Sequence, residues 1–112
     1  MSAGVVLRPA VAGDRDRVLA WNGDPAVRAR SLDRRAIDAA GHATWYAARL
    51  ADPLSRLAIA ERDGAPVGLV RIQRRAAGGP GTISIVIDRA ARGTGLGRAA
   101  IAAACAADGG EI

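Results

Sequence analysis

The chemistry-bearing residues of this chain lie close together, in Ile83-Ser84-Ile85-Val86-Ile87-Asp88-Arg89-Ala90-Ala91-Arg92-Gly93-Thr94-Gly95-Leu96-Gly97-Arg98. A β-branched run, which predicts a strand, leads through a short turn into a glycine-rich arc that opens an alanine-rich helix reaching about Ala107. The first turn of a helix has N–H groups without intrahelical partners, and its dipole places partial positive charge there. The arc from Gly93 to Arg98 is therefore suited to hold phosphate. Gly93, Gly95 and Gly97 carry no Cβ, so backbone can approach an anion closely and can take positive φ. The functional reading is a pyrophosphate cradle, and the alternative is an ordinary glycine-rich turn between strand and helix.

Spacing separates the kinds of cradle. A Walker loop requires Gly-Lys-Ser/Thr, and the chain contains no lysine. A dinucleotide fingerprint requires a third glycine where Arg98 stands, and an acidic residue about 20 positions further on, past Ile112. What remains is Arg92-x-x-Gly95-x-Gly97 directly after a strand.

The elements that must position this arc follow in order. Val5-Val6-Leu7 predicts a short first strand, limited by Pro9. Asp14 is placed to cap a helix through about Trp21, stopped by Asn22-Gly23. Asp24-Pro25 restarts a helix to about Arg30, with aspartate at the cap and proline at the first helical position. After a loop from Ser31 to Ile37, Asp38 caps a third helix reaching Leu50. Its residues His42, Trp45, Tyr46 and Arg49 share one side. His42 and Tyr46 would line either a substrate entrance or, as the favoured reading, the core and its rim.

Leu57 to Glu61 and Pro66 to Ile72 predict strands joined by Asp63-Gly64, the strongest hairpin signal in the chain. Arg74 to Gly81 reads as a flexible, exposed connection to the central strand Thr82 to Ile87. Strand, three helices, hairpin, strand, cradle and helix together predict an α/β fold of the α+β sandwich type, with residues 1–112 as one domain.

Composition narrows the function classes. A chain of 112 residues can bury roughly two thirds of the surface its unfolded form exposes. With two tryptophans, one tyrosine and no phenylalanine, its core should be aliphatic. A net charge of +5 invites nucleic acid, yet the sixteen basic residues are all arginine and are interspersed with acidic ones. The pairs Arg34-Arg35 and Arg74-Arg75 fall in expected loops without aromatic platforms, so nucleic acid is not the expected partner. The lone cysteine, Cys105, excludes an internal disulfide and is expected to be buried on the face it shares with Ile101. No metal-ligand spacing occurs, and no apolar run approaches spanning length, so no membrane partner and a cytoplasmic location are expected.

Arg92-x-x-Gly95-x-Gly97 resembles the coenzyme A pyrophosphate motif, Gln/Arg-x-x-Gly-x-Gly/Ala, of the GNAT (acyl-CoA N-acetyltransferase) superfamily. Leu7-Arg8-Pro9-Ala10, Trp21-Asn22-Gly23-Asp24-Pro25-Ala26-Val27-Arg28 and His42-Ala43-Thr44-Trp45-Tyr46 are similar to one branch of it. That branch holds amino-sugar N-acetyltransferases of nonulosonic acid biosynthesis and ribosomal-protein alanine N-acetyltransferases. The resemblance implies acetyl-CoA as cosubstrate and a primary amine, of an amino sugar nucleotide or a protein N-terminus, as acceptor. It implies that main-chain groups of Ile85, Val86 and Ile87 pair with the pantetheine arm. It places Arg92, Gly93, Thr94, Gly95, Leu96, Gly97 and Arg98 at the pyrophosphate.

Thr82 stands where relatives often carry a glutamate, and Ser84 is a candidate for positioning water, so no catalytic residue is assigned. Asp108 to Ile112 reads as a turn and the start of another strand. The resemblance thus implies a fold cut after the cofactor-binding helix, with the next strand and the tyrosine-bearing helix absent. It leaves a sheet edge through which a homo-oligomer could form. The alternative function is a non-catalytic module that binds a CoA-like ligand or completes its sheet with a partner chain.

Overall fold

A computed structural model describes residues 5–30, 38–77, 79–93 and 95–108. The expected loop from Ser31 to Ile37, which contains Arg34-Arg35, and the expected further strand over 109–112 lie outside the described residues, as does Thr94.

The elements are β1 (Val5–Pro9), α1 (Arg15–Asn22), α2 (Pro25–Arg30), α3 (Ala39–Ala51), β2 (Ser55–Arg62), β3 (Ala65–Arg74), β4 (Gly81–Ile87) and α4 (Leu96–Asp108). Short 3-10 turns occupy Ala12–Asp14 and Arg89–Ala91. The four strands form one antiparallel sheet in chain order, β1-β2-β3-β4. Helices lie on both faces, α1 and α3 on one and α4 on the other, which gives the expected sandwich.

Each face buries its own cluster. Ala60, Val70, Ile72, Ala91, Ala100 and Ala104 form one, with Ile83, Ile85 and Ile87 packed against it beneath α4. Val18, Trp21, Tyr46, Leu57, Ile59 and Leu69 form the other, with Trp45 and Val86 against it. Strand alternation is the cause: Leu57 and Ile59 point to α3, Ala58 and Ala60 to α4. On α4 the buried stripe runs through Ala100 and Ala104, whose small side chains let the helix sit close on the sheet, while Ile101 is exposed. The face that sequence spacing assigns to both Ile101 and Cys105 is thus turned outward at Ile101. The Cys105 side chain is not among those described.

Several elements form as their sequences dictate. Asp38 accepts from the Gly41 N–H at 2.7 Å and caps α3. Asp63 and Gly64 take φ of 54° and 79°, the paired positive values that a two-residue hairpin needs. Two expectations change. The β3–β4 ladder runs on to the pair Arg74↔Gly81, so the connection shrinks to 75–80, braced by the Arg74 Nε donating to the Gly79 carbonyl at 3.0 Å. Asp14 stands at the cap position of α1 but makes no side-chain cap bond. Its buried carboxylate accepts instead from both terminal nitrogens of Arg8 (2.8 and 2.9 Å), from Arg17 (2.6 Å) and from the Val11 N–H (3.0 Å). Two guanidinium groups outcompete the orphan amides of the helix.

Candidate functional site

β4 is an edge of the sheet: among the described residues, no strand pairs with its outer side. Ile85, Val86 and Ile87 lie on it, with Ile85 and Ile87 turned to α4 and Val86 to α1 and α3. The strand is held closely to β3 at Gly68, where a Cβ would stand 2.6 Å from the Val86 carbonyl oxygen. Glycine there permits the close approach that places the end of β4.

Beyond β4 the chain makes a 3-10 turn and enters the glycine arc. Gly93 and Gly95 both take φ of 79°, a left-handed conformation that side chains rarely adopt. A Cβ built at Gly93, Gly95 or Gly97 meets nothing within 4 Å, so the glycines face open space and are not packed into the protein. The Ala99 N–H donates to the Gly95 carbonyl at 3.2 Å, which starts the α4 ladder. The amides of Leu96, Gly97 and Arg98 therefore precede the ladder at the positive end of a 13-residue helix. The described residues of the expected cradle, Gly93 and Gly95 to Arg98, thus lie together at the head of α4, with open space at the three glycine Cα positions.

Arg92 is placed differently. Its backbone N–H donates to the Arg89 carbonyl (3.3 Å), its Nε to the Ile87 carbonyl (3.0 Å), and its Nη2 reaches Asp24 (3.2 Å). The side chain turns back against the protein and braces the entrance to the arc from behind.

That brace is part of a larger clamp, invisible to local spacing. The Trp21 Nε1–H donates to Asp88 Oδ2 at 2.8 Å, while Asp88 Oδ1 accepts from the Ala90 N–H at 2.9 Å. One carboxylate thus fixes both the indole of α1 and the 3-10 turn after β4. Asp24 caps α2 through the Ala26 N–H (2.8 Å) and also takes Arg89 (3.3 Å) and Arg92 (3.2 Å). Hydrogen bonds hold both carboxylates below the usual range: to Asp88 chiefly from Trp21, and to Asp24 chiefly from the Ala26 amide and then Arg89. The segment Trp21-Asn22-Gly23-Asp24-Pro25 thereby fastens the α1–α2 turn to the chain that leads into the cradle. Arg17, Trp21, Asp24, Pro66, Asp88 and Arg89 line an open cleft of about 340 Å³ beside it.

Of the stripe on α3, His42 and Tyr46 are structural, as favoured. His42 is 4% and Tyr46 2% exposed, and the Tyr46 hydroxyl donates to the Val11 carbonyl at 2.7 Å. Burial, and then the charge of Arg15, push the His42 imidazole below its ordinary range. Arg49 Nη1 donates to Gln73 Oε1 at 2.9 Å. Ser84 is half-buried on β4, opposite Arg71 of β3. Among the described residues no group of three or more His, Cys, Asp or Glu is placed to hold a metal, and no helix is long and apolar enough to cross a membrane.

The fold is shared with solved acetyltransferases. Ribosomal-protein-alanine N-acetyltransferase from Brucella melitensis superposes with a TM-score of 0.68 at 26% identity, over 87% of this chain and 62% of that one. Spermidine N-acetyltransferase from Vibrio cholerae, solved in complex with CoA and spermine, gives 0.78 at 18% identity over 89% and 60%. An acetyltransferase from Thermus thermophilus gives 0.79 at 20% over 96% and 71%. The chain therefore spans about three fifths of the first two relatives, and the lower identities establish shared fold alone. No curated protein matches significantly in sequence. The model of the acetyltransferase (GNAT) domain matches residues 5–107, so the chain belongs to the GNAT acetyltransferase family.

Proposed function

We propose that this chain holds acetyl-CoA for transfer of acetyl to a primary amine, that of an amino sugar nucleotide first and of a protein N-terminus second. The observation that carries the reading is the open arc of Gly93, Gly95 and Gly97 at the head of α4, with three amides ahead of the helical ladder. Acetyl-CoA supplies the activated acetyl thioester. The residues of this chain bind and orient: amides of Gly93, Gly95, Leu96, Gly97 and Arg98 converge on the diphosphate, and Thr94 belongs to the same arc by sequence. The unpaired main-chain edge at Ile85, Val86 and Ile87 offers strand-like hydrogen bonds to the amide-bearing arm. Arg92 serves as a positioning residue. Attack requires the amine deprotonated and the tetrahedral oxyanion stabilised, and no described side chain is assigned either role.

The test is calorimetric titration of coenzyme A into the chain and into its Gly95→Glu/Gly97→Glu double variant. Binding by the first and not the second supports the cradle, whereas equal binding, or none by either folded protein, removes it. The same open edge of β4 favours the second reading, in which a partner chain completes the sheet, and light scattering on the calorimetry sample reads that state.

A further inference from the structure

Arg71 lies in the middle of β3, in register with Ser84 of β4. Its neighbours in alternation, Leu69 on β3 and Val86 on β4, pack in the cluster beneath α1 and α3. The guanidinium sits on the same face, 5.8 Å from the ring centroid of Trp45 in α3. It is half-buried, and among the described residues it makes no salt bridge and no hydrogen bond. Arg8, Arg17, Arg89 and Arg92 all have carboxylate partners. The charged group acting on Arg71 is Arg49, of the same sign and already engaged with Gln73 and Asp52. A desolvated charge without a partner is costly, and contact with an indole face compensates it only in part. Burial, and then Arg49, lower the Arg71 pKa, as expected for a cation with no counter-charge among the described residues.

Its position suggests what that counter-charge is. A cofactor held by the glycine arc and by the main chain of Ile87 and Val86 would bring its thioester end toward Ser84. Arg71 pairs with Ser84 from the inner side of β4, about 4.8 Å away between backbones and so about 10 Å from a group on the outer edge, a span that its long side chain and the acceptor would share.

We infer that Arg71, with Ser84 beside it, recognises an anionic group on the acceptor, so that the amine acetylated also carries a phosphate or a carboxylate and polyamines are disfavoured. This rests on the proposed placement of the cofactor along β4. A planar guanidinium matches either anion through two parallel hydrogen bonds. Arg71 and Arg49 together repel a polycation, so the acceptor differs in charge from the spermine held by the Vibrio relative, which shares only the fold.

The experiment follows the Trp45 indole N–H resonance during titration of four amines with and without saturating coenzyme A. These are O-phosphoethanolamine, β-alanine, ethanolamine and spermidine, and the first two separate phosphate from carboxylate. At least one anionic amine should give a saturable shift, with ethanolamine and spermidine giving none. Arg71→Gln should weaken that binding about tenfold or more, and Arg71→Lys should recover part of it. The Arg71→Gln melting temperature should stay the same or rise, since an uncompensated charge has been removed. Equal affinity in Arg71→Gln, no saturable binding of either anionic amine, or preference for spermidine overturns the inference. Failure of coenzyme A to bind overturns the cofactor reading instead, and the titration without it still tests the anion site.

Discussion

Gly97→Glu should raise the stability of the free protein and lower its affinity for coenzyme A, two effects of opposite sign from one side chain. Gly97 is the second residue of α4, and a Cβ there meets nothing within 4 Å, so the new side chain enters without collision. Replacing glycine by glutamate inside a helix gains roughly 0.5 kcal/mol of propensity. A carboxylate in the first turn gains about 0.3–1 kcal/mol more from the dipole. The sum, about 1 kcal/mol, raises the melting temperature by about 4 °C for a chain of this size. Once a diphosphate occupies the arc, the same carboxylate opposes it. At about 4 Å the repulsion is about 1 kcal/mol under water-like screening and about 4 kcal/mol at an effective dielectric of about 20, or roughly fivefold to several hundredfold in affinity. Gly97→Gln keeps the shape and most of the propensity gain without the charge, and should bind nearly as the parent does. Thermal melts of the free proteins and calorimetry with coenzyme A measure both quantities. If the Glu and Gln variants bind coenzyme A equally while both melt higher, no anion is read at the head of α4 and the cradle is only a turn.

Trp21→Phe keeps a ring in the core but removes the donor to Asp88; it should cost about 1.5–3 kcal/mol by denaturant midpoint and also weaken coenzyme A binding, because the same carboxylate fixes the Ala90 amide ahead of the arc. Stability should fall in two stages as pH drops. His42 has a folded pKa below its unfolded value, so its contribution is present above about pH 6.5 and is lost as pH falls from there through the folded pKa. Asp14, Asp24 and Asp88 are likewise depressed, so theirs is intact above about pH 4 and is lost below it, with Asp14→Asn flattening that acid limb in urea midpoints against pH.

What local chemistry controls was legible in the sequence. Asp63-Gly64 supplied the two positive φ values, Asp38 supplied a cap, and Asp24-Pro25 opened α2 because each motif acts within a few residues of itself. The glycine arc was legible for the same reason. What competition decides was not. Asp14 has the right type and place for a cap, yet Arg8, six residues earlier, and Arg17, three later, offer its carboxylate charged donors that a backbone amide cannot match. Arg92 sits at the first position of the pyrophosphate pattern, but its guanidinium turns to Asp24, 68 residues away. Trp21 and Asp88 are 67 residues apart, and nothing in either neighbourhood announces the other. The strands of the β3–β4 hairpin ran longer than expected because ladder bonds reward continued pairing through Arg74 and Gly81, residues of little strand propensity.

These long-range contacts share a pattern that joins fold to function. Among the described residues β4 is paired on one side only, and an edge strand alone is a poor platform for placing a ligand. Its C-terminal end is tied through Asp88 to Trp21 of α1, and Arg92 ties the Ile87 carbonyl to Asp24 at the head of α2. Near its N-terminal half, Ser84 lies opposite Arg71, whose guanidinium stands 5.8 Å from the ring centroid of Trp45 of α3. Between them Val86 packs into the core beneath both helices. One face of the strand is thus buttressed at both ends by the helices that precede it in the chain, and the other face rests on α4 through Ile83, Ile85 and Ile87. Both faces and one side of β4 are therefore secured by the protein itself, so the proposed use of its other edge and of the glycine arc by a cofactor requires no ligand to hold the strand in place.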